Sequence, residues 1–406
     1  MESCNRWQQP SRRVFLTGTV GLVASGVASA PQDARGTASP DTDFFPPPIT
    51  IATDTTATLH LYPAEPDRAT AATVLVCPGG GFNALMMDNE GHQVAQWLSR
   101  NGITAVLLKY RVGWQVSRDA ATRRKLAYAD GLRAVRFVRS KAKAWKVSPN
   151  RIGIMGFSAG AGLASATAIL SDNGKASDAD PIERLSSRPD FIILGYGGTL
   201  NPVTPTEEDF LTADLSKNRY PKNTPPAFIW GTQQDEYGYL ATANWLAINA
   251  VGGDAEVHLF SGYGPHGTAL GEGDSAIGAW PRLALGWMRK MGLLTAAPRL
   301  AIQGEITLDG KPLYAGWIRL TPLDDSRHPI ATAYIVNHKD GGKFSLAARY
   351  GPCAGRHQVA VCQYSTGFGP VPSIAATEVI DRHNGKPMAF EIRPDQAVIR
   401  LNLPSP

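Results

Sequence analysis

The sequence predicts an α/β fold, a mostly parallel sheet flanked by helices, followed by a small all-β sandwich. Three observations carry that expectation. Six apolar runs, TVLVCPG, ITAVLLKY, RIGIMGF, DFIILGY, PAFIWGT and AEVHLFS, alternate with helical patterns between residues 73 and 261, as strands buried on both faces of a parallel sheet must. Beyond residue 297, seven short alternating runs follow with no helical pattern between them. The chain has 406 residues, 43% apolar and 18% charged, enough for one large core and a smaller second one.

The first thirty residues read as an export signal. SRRVFLTGTVGLVASGVASA places paired arginines ahead of an apolar run that ends in small residues and is too short to span a bilayer. Ser11-Arg12-Arg13-Val14-Phe15-Leu16 resembles the twin-arginine consensus. Cleavage is expected near Ala28 or Ala30, with Ala28 favoured because Pro31 sits badly just after a cut. The mature protein is then periplasmic or extracellular, with no stable membrane insertion. Residues 31–48 are polar and proline-rich and read as an extended leader, 49–297 as the catalytic α/β domain and 298–406 as the sandwich.

Helices are expected between the strands. DNEGHQVAQWLSR, from Asp88 to Arg100, places Val94, Trp97 and Leu98 on one face, and ADGLRAVRFVRSKAKAW, from Ala129, does the same with Leu132, Val135, Val138 and Trp145. AGAGLASATAIL follows the third strand as a helix of small residues. PRLALGWMRKMGLL, Pro281 to Leu294, opens with proline at a first-turn position and closes the layer.

Removing residues 1–30 takes away Arg6, Arg12, Arg13 and Glu2, so the net charge falls from +5 to +3, too mild an excess to suggest nucleic acid. RSKAKAWK alternates charged with apolar positions and reads as a solvated helix face. Cys4 lies in the signal and Cys77 in an apolar strand. Cys353 and Cys362 lie too far apart along an extended segment to bridge, so no disulfide is expected. The four histidines of the tail, His328, His338, His357 and His383, fall at no metal-ligand spacing and read as solvated loop or edge residues.

The chemistry gathers around Gly156-Phe157-Ser158-Ala159-Gly160. A nucleophilic serine needs exposure, a base, an acid to orient that base, and donors for the developing oxyanion. The GxSxG stretch lies between an apolar strand and a helix of small residues, where the sharp turn leaves no room for larger side chains. The helix start aims its N–H groups and positive dipole end at the same point. Gly79-Gly80-Gly81 follows the first apolar strand, so Gly80, Gly81 and the Ala159 N–H are the oxyanion-hole candidates. The lysine and hydroxyl residue of a phosphate-binding loop are absent. Asp235 follows PPAFIWGT and is the expected acid, with neighbouring Glu236 as the alternative. His266, in the GPHG loop after the last strand, is the expected base; His258 within a strand and His92 on a helix suit structural roles better.

The order Ser158, Asp235, His266 is that of the α/β-hydrolases. From about Val74 to His266 the chain resembles esterases of the acetylxylan and feruloyl esterase type, a branch often labelled endo-1,4-β-xylanase B. The matching stretches are VLVCPGGGF, EGHQVAQWLSRNGITAVLLKYR, GLRAVRFVRSKAKAWKVSPNRIGIMGFSAG, TPPAFIWGTQQDE and GPHG. The resemblance implies an α/β-hydrolase fold and removal of acyl groups from polysaccharide or oligosaccharide, with no metal or organic cofactor and an acylated carbohydrate as partner. The sequence departs from it at Asp235-Glu236-Tyr237-Gly238, where D-x-V-P is usual, and over 197–223, and both segments are expected to border the pocket. GEITLDGKPLYAGWIRLTP and GPCAGRHQVAV resemble carboxypeptidase-regulatory or transthyretin-like modules. Two competing readings remain, a prolyl-oligopeptidase-like peptidase and a noncatalytic carbohydrate-binding protein; a glycosidase needs two carboxylates flanking a sugar bond, and the cluster Glu207, Glu208 and Asp209, in a Pro/Thr-rich loop, reads as solvated surface.

Overall fold

The aliphatic runs form strands, and their order in space follows from parallel pairing. The computed structural model describes residues 45–202, 216, 218–261, 266–335, 341–364, 378–380, 382–383, 386–395 and 398–403. One sheet contains β1 (Pro48–Thr50), β2 (Thr58–Tyr62), β3 (Thr73–Cys77), β4 (Thr104–Lys109), β5 (Ile152–Phe157), β6 (Phe191–Gly195), β7 (Ala227–Thr232) and β8 (Ala255–Phe260). Its order is β1-β2-β4-β3-β5-β6-β7-β8. The six expected strands, β3 to β8, all run parallel. The hairpin-like pair β1 and β2 adds an antiparallel edge that was not expected, being short and flanked by polar residues.

Alternate residues of the central strands face two separate helical layers. Leu75, Ile154 and Ile229 pack with α2 (Ala120–Lys141), α3 (Ala159–Leu170) and α4 (Tyr239–Ala250). Val76, Met155 and Phe157 pack with α1 (Gln93–Arg100) and α5 (Trp280–Lys290) on the other face. α2 starts nine residues before the expected Ala129 and ends at Lys141 rather than near Trp145. Consecutive cations at Arg123, Arg124 and Lys125 hide its apolar period, yet Arg123 and Arg124 are buried. Arg123 Nη1 donates to the Ser117 and Arg118 carbonyls, and Asp119 caps the helix by accepting from Thr122 N–H at 2.7 Å. α4 was also not anticipated.

The folded part begins earlier than the expected residue 49. Phe45 stacks on His92 with ring centroids 3.8 Å apart, and His60 Nδ1 lies 2.7 Å from the Pro46 carbonyl. Residues 1–44, which hold the expected signal and most of the expected leader, lie outside the described residues, as do Glu207, Glu208, Asp209 and His338. Among the described residues no helix is long and apolar enough to cross a membrane.

All seven runs beyond residue 297 are strands. β9 (Ile302–Leu308) pairs with β10 (Lys311–Pro312), with β13 (Lys343–Leu346) and, in parallel, with β19 (Val398–Leu403). The second sheet joins β11 (Gly316–Pro322), β12 (Ala331–Ile335), β14 (Gly355–Gln363), β15 (Glu378–Ile380) and β18 (Ala389–Ile392), with a small hairpin of β16 (Arg382–His383) and β17 (Lys386–Pro387) beside it in sequence. Ile306, Ile318, Val361 and Ile399 fill the core they share. His357 corrects the expectation of solvated histidines: it is buried on β14, with Nδ1 3.0 Å from the Gly355 carbonyl. His328 is half-buried 3.7 Å from Asp325. Cys77, Cys353 and Cys362 are free and buried.

These sheets touch the amino ends of the parallel strands. Arg327 donates to the Ala69 carbonyl before β3 at 3.1 Å, and the Tyr350 hydroxyl donates to Asp254 before β8 at 3.1 Å.

One buried ion pair fixes α2 to the sheet. The Asp130 carboxylate accepts from Arg111 N–H (2.9 Å), Nε (3.0 Å) and Nη2 (2.7 Å), and from Thr55 Oγ1 at 3.1 Å. Its side chain is 2% exposed. Asp130→Ala leaves the half-buried Arg111 guanidinium without its carboxylate and is expected to lower stability by about 3 kcal/mol in urea unfolding; a loss below about 1 kcal/mol contradicts this role.

Candidate active site

Chain reversal after β5 creates the site. Ser158 caps α3 with φ 52° and ψ −121°, a conformation that costs energy in a non-glycine residue and persists because its surroundings impose it. The glycines two positions away permit the packing. A Cβ on Gly156 would lie 2.0 Å from the Gly160 carbonyl oxygen, and one on Gly160 would lie 2.0 Å from that of Cys77. The Ser158 N–H donates to the Gly195 carbonyl at 3.0 Å, so this amide is committed to the sheet edge while the side chain stands clear.

The three residues expected to act together meet at the carboxyl ends of β5, β7 and β8. Ser158 Oγ lies 2.6 Å from His266 Nε2, and His266 Nδ1 lies 2.9 and 3.1 Å from the Asp235 carboxylate oxygens. A carboxylate only accepts, so Nδ1 carries the proton and Nε2 is left to accept from the serine hydroxyl. The Asp235 side chain is 1% exposed and that of His266 31%, which puts the acid behind the base and the base at the solvent face. Asp235 Oδ1 also accepts from Tyr237 N–H at 2.9 Å. Glu236, the alternative acid, lines the cavity without entering this chain of hydrogen bonds.

Gly80, Gly81 and Ala159 all line the same cavity as Ser158 and His266, a space of about 480 Å³. Among the described residues, none of their N–H groups donates to another backbone carbonyl. Gly80 has φ 125°, and a Cβ there would lie 2.3 Å from the Ala84 oxygen, so the loop closes on itself only with glycine at this position. Gly197, Gly198, Tyr237 and Leu240 also line the cavity, which is where the two divergent segments were expected. Most of the first of these, 203–215, lies outside the described residues.

Several lining residues were not singled out in the sequence. Phe82, Met86 and Arg124 belong to loops or to the unexpected start of α2. Glu90 was readable in principle, because it falls four, seven and eight residues before Val94, Trp97 and Leu98 and so shares their inward face. Its residue is 2% exposed. Its Oε2 accepts from Gly79 N–H and its Oε1 from the Tyr196 hydroxyl, both at 2.6 Å. Burial pushes this carboxyl above its usual range, against the opposing pull of the two hydrogen bonds and of His266. Tyr196, at φ 36°, presents its ring edge-on to His266 with centroids 5.2 Å apart. No cluster of metal-ligating residues occurs among the described residues.

Residues 59–195 match the family model BD-FAE. The chain is 32% identical over 175 residues to endo-1,4-β-xylanase B of Butyrivibrio fibrisolvens, covering 40% of this chain and 27% of that one. It is 34% identical over 131 residues to an acetylxylan esterase of Xylanibacter ruminicola, covering 32% of this chain and 23% of that one. The chain thus spans about a quarter of the length of the curated relatives it matches. Among solved structures, an acetyl ester-xyloside bifunctional hydrolase from Caldicellulosiruptor lactoaceticus superposes with a TM-score of 0.53 at 28% identity, covering 62% of this chain and 99% of that one. A thermophilic esterase from Thermogutta terrifontis shares the fold at 22% identity and a TM-score of 0.50, covering 62% of this chain and 94% of that one. With its parallel sheet, its strand order and these structural neighbours, the chain has the α/β-hydrolase fold, and residues 59–195 within it are similar to the BD-FAE family.

Proposed function

We propose that the protein is an exported serine carboxylesterase that removes acyl groups, acetyl foremost, from polysaccharide or its oligosaccharides. The observation that carries this reading is the hydrogen-bonded chain Ser158–His266–Asp235, at 2.6 and 2.9 Å, opening on a cavity lined by Gly80, Gly81 and Ala159. Export is supported by the signal-like residues 1–30, and an acetylated sugar substrate by the similarity to an acetylxylan esterase.

In this reading His266 Nε2 takes the Ser158 proton as Oγ attacks the ester carbonyl carbon. The negative charge that gathers on the carbonyl oxygen is met by the three backbone N–H groups, donors fixed before the reaction begins. Asp235, buried behind the ring, holds its orientation and favours the imidazolium. His266 then returns the proton to the leaving alcohol, and a water molecule releases the acid from Ser158 by the same sequence in reverse.

Purified protein should release acetate from p-nitrophenyl acetate and from acetylated xylan, and leave unsubstituted xylan and proline peptides intact. Ser158→Ala is expected to lower kcat by at least about 10⁴-fold. Ester cleavage surviving that change removes the nucleophile from the reading. Depolymerisation of unsubstituted xylan without acyl release would replace it with a glycosidase. Asp235→Asn should cost roughly 10²- to 10⁴-fold in kcat and Glu236→Gln far less, measured on p-nitrophenyl acetate. The reverse ranking would make Glu236 the orienting acid.

A further inference from the structure

Glu90 occupies a place that the hydrolytic chemistry leaves unused. It comes from the turn Asp88–His92 that leads into α1, and it reaches into the site from behind the glycine loop. A carboxylate at 2% exposure needs partners, and this one has a separate donor on each oxygen. Oε2 holds the Gly79 N–H, one residue before the first oxyanion-hole candidate. Oε1 holds the Tyr196 hydroxyl, whose oxygen in turn accepts the Ala269 N–H at 3.1 Å, three residues past His266. The Ala269 carbonyl accepts from Trp280 Nε1 at 2.9 Å, which anchors the far end in α5.

Contacts are close throughout. A Cβ on Gly79 would lie 2.7 Å from Glu90 Oε2 and 2.9 Å from Ser158 Cβ, so loop, carboxylate and nucleophile are in mutual contact. A Cβ on Gly267 would lie 3.9 Å from Glu90 Oε1, so the carboxylate also borders the histidine loop. Besides these donors, His266 and Tyr110 interact with it electrostatically.

We propose that Glu90 is a positioning residue for ester hydrolysis, its two oxygens tying the Gly79–Gly81 loop to Tyr196 and the His266 loop so that the Gly80 and Gly81 N–H groups are held where the oxyanion forms. This rests on the esterase reading above. The chemistry of the contacts makes the charge state of residue 90 matter, not only its size. Both partners donate, and an amide offers one oxygen. In Glu90→Gln the amide oxygen can keep the Gly79 N–H only if the NH₂ group turns to the Tyr196 hydroxyl, which must then accept instead of donate, so two charge-assisted bonds become neutral ones and the tether weakens.

The test measures p-nitrophenyl acetate hydrolysis per active site, counted by titration with a fluorophosphonate, for wild type, Glu90→Gln and Tyr196→Phe, with Ser158→Ala assayed per mole of protein. Because the tether acts on charge that exists only in the transition state, kcat and kcat/KM should fall together, by about 10- to 100-fold in Glu90→Gln, with KM within about twofold. Affinity for phenylboronic acid, which forms a tetrahedral anionic adduct on a serine, should fall by a similar factor. Tyr196→Phe keeps the ring and should show the same pattern, by about 3- to 10-fold, deciding the matter if the glutamine variant does not fold. A variant with fewer active sites or a lower Tm but unchanged kcat per site and unchanged boronate affinity overturns the proposal. Hydrolysis absent from wild type, or equal in Ser158→Ala, overturns the esterase reading instead and this proposal with it.

Discussion

How closely α3 can approach the end of β3 decides where everything else in the site stands. Gly160 sits so near the Cys77 carbonyl that even a methyl group would collide with it, and Gly156 is pressed in the same way against Gly160. That contact brings the first turn of a helix alongside the glycine loop that follows β3. As a result Ala159, Gly80 and Gly81 line one cavity with Ser158. Catalytic elements drawn from the ends of different strands become neighbours because the parallel sheet delivers every strand end to the same edge. The positive φ of Ser158 is the local cost of the sharp reversal.

Burial then sorts the charged groups. Asp235 is enclosed and bound to the histidine and to the Tyr237 N–H, while His266 reaches solvent, so the pair can only point the imidazole toward Ser158. A second carboxylate, Glu90, borders the same cavity, more enclosed than carboxylates usually are and balanced by two donors. The site is thus framed by two buried acids with separate partners, one bonded to the base and one to the backbone that precedes the proposed oxyanion donors.

The sequence made the strands and the proposed trio Ser158, Asp235 and His266 readable because their signals are local and redundant. An apolar run, a GxSxG turn and a small-residue helix all agree around Ser158, and Asp235 and His266 each follow a strand end in a polar loop. The misses share a different cause. The start of α2 carries buried arginines where periodicity looks for aliphatics, β1 is three residues long, and β2, TLHLY, alternates polar and apolar positions instead of forming a continuous apolar run. His357 looked solvated by type, yet its alternate position on β14 turns it inward. Glu90 broke the pattern in the informative direction, an acid on an apolar face, and only its two donors in space explain why it is tolerated there.

The sandwich sheets meet the domain at Ala69 and Asp254, before β3 and β8, whereas the cavity lies at the opposite ends of the strands and, among the described residues, is lined by ones between Gly80 and Gly267. Chemistry and accessory sheets therefore occupy opposite edges of one sheet. The most direct measurement of the central claim is the intact mass and peptide map of the protein after reaction with a fluorophosphonate, which requires a serine activated by a base and an oxyanion site. A single adduct on the peptide containing Ser158, forming with loss of esterase activity, is the predicted result. An adduct on another residue, or activity that persists with Ser158 fully modified, would contradict it.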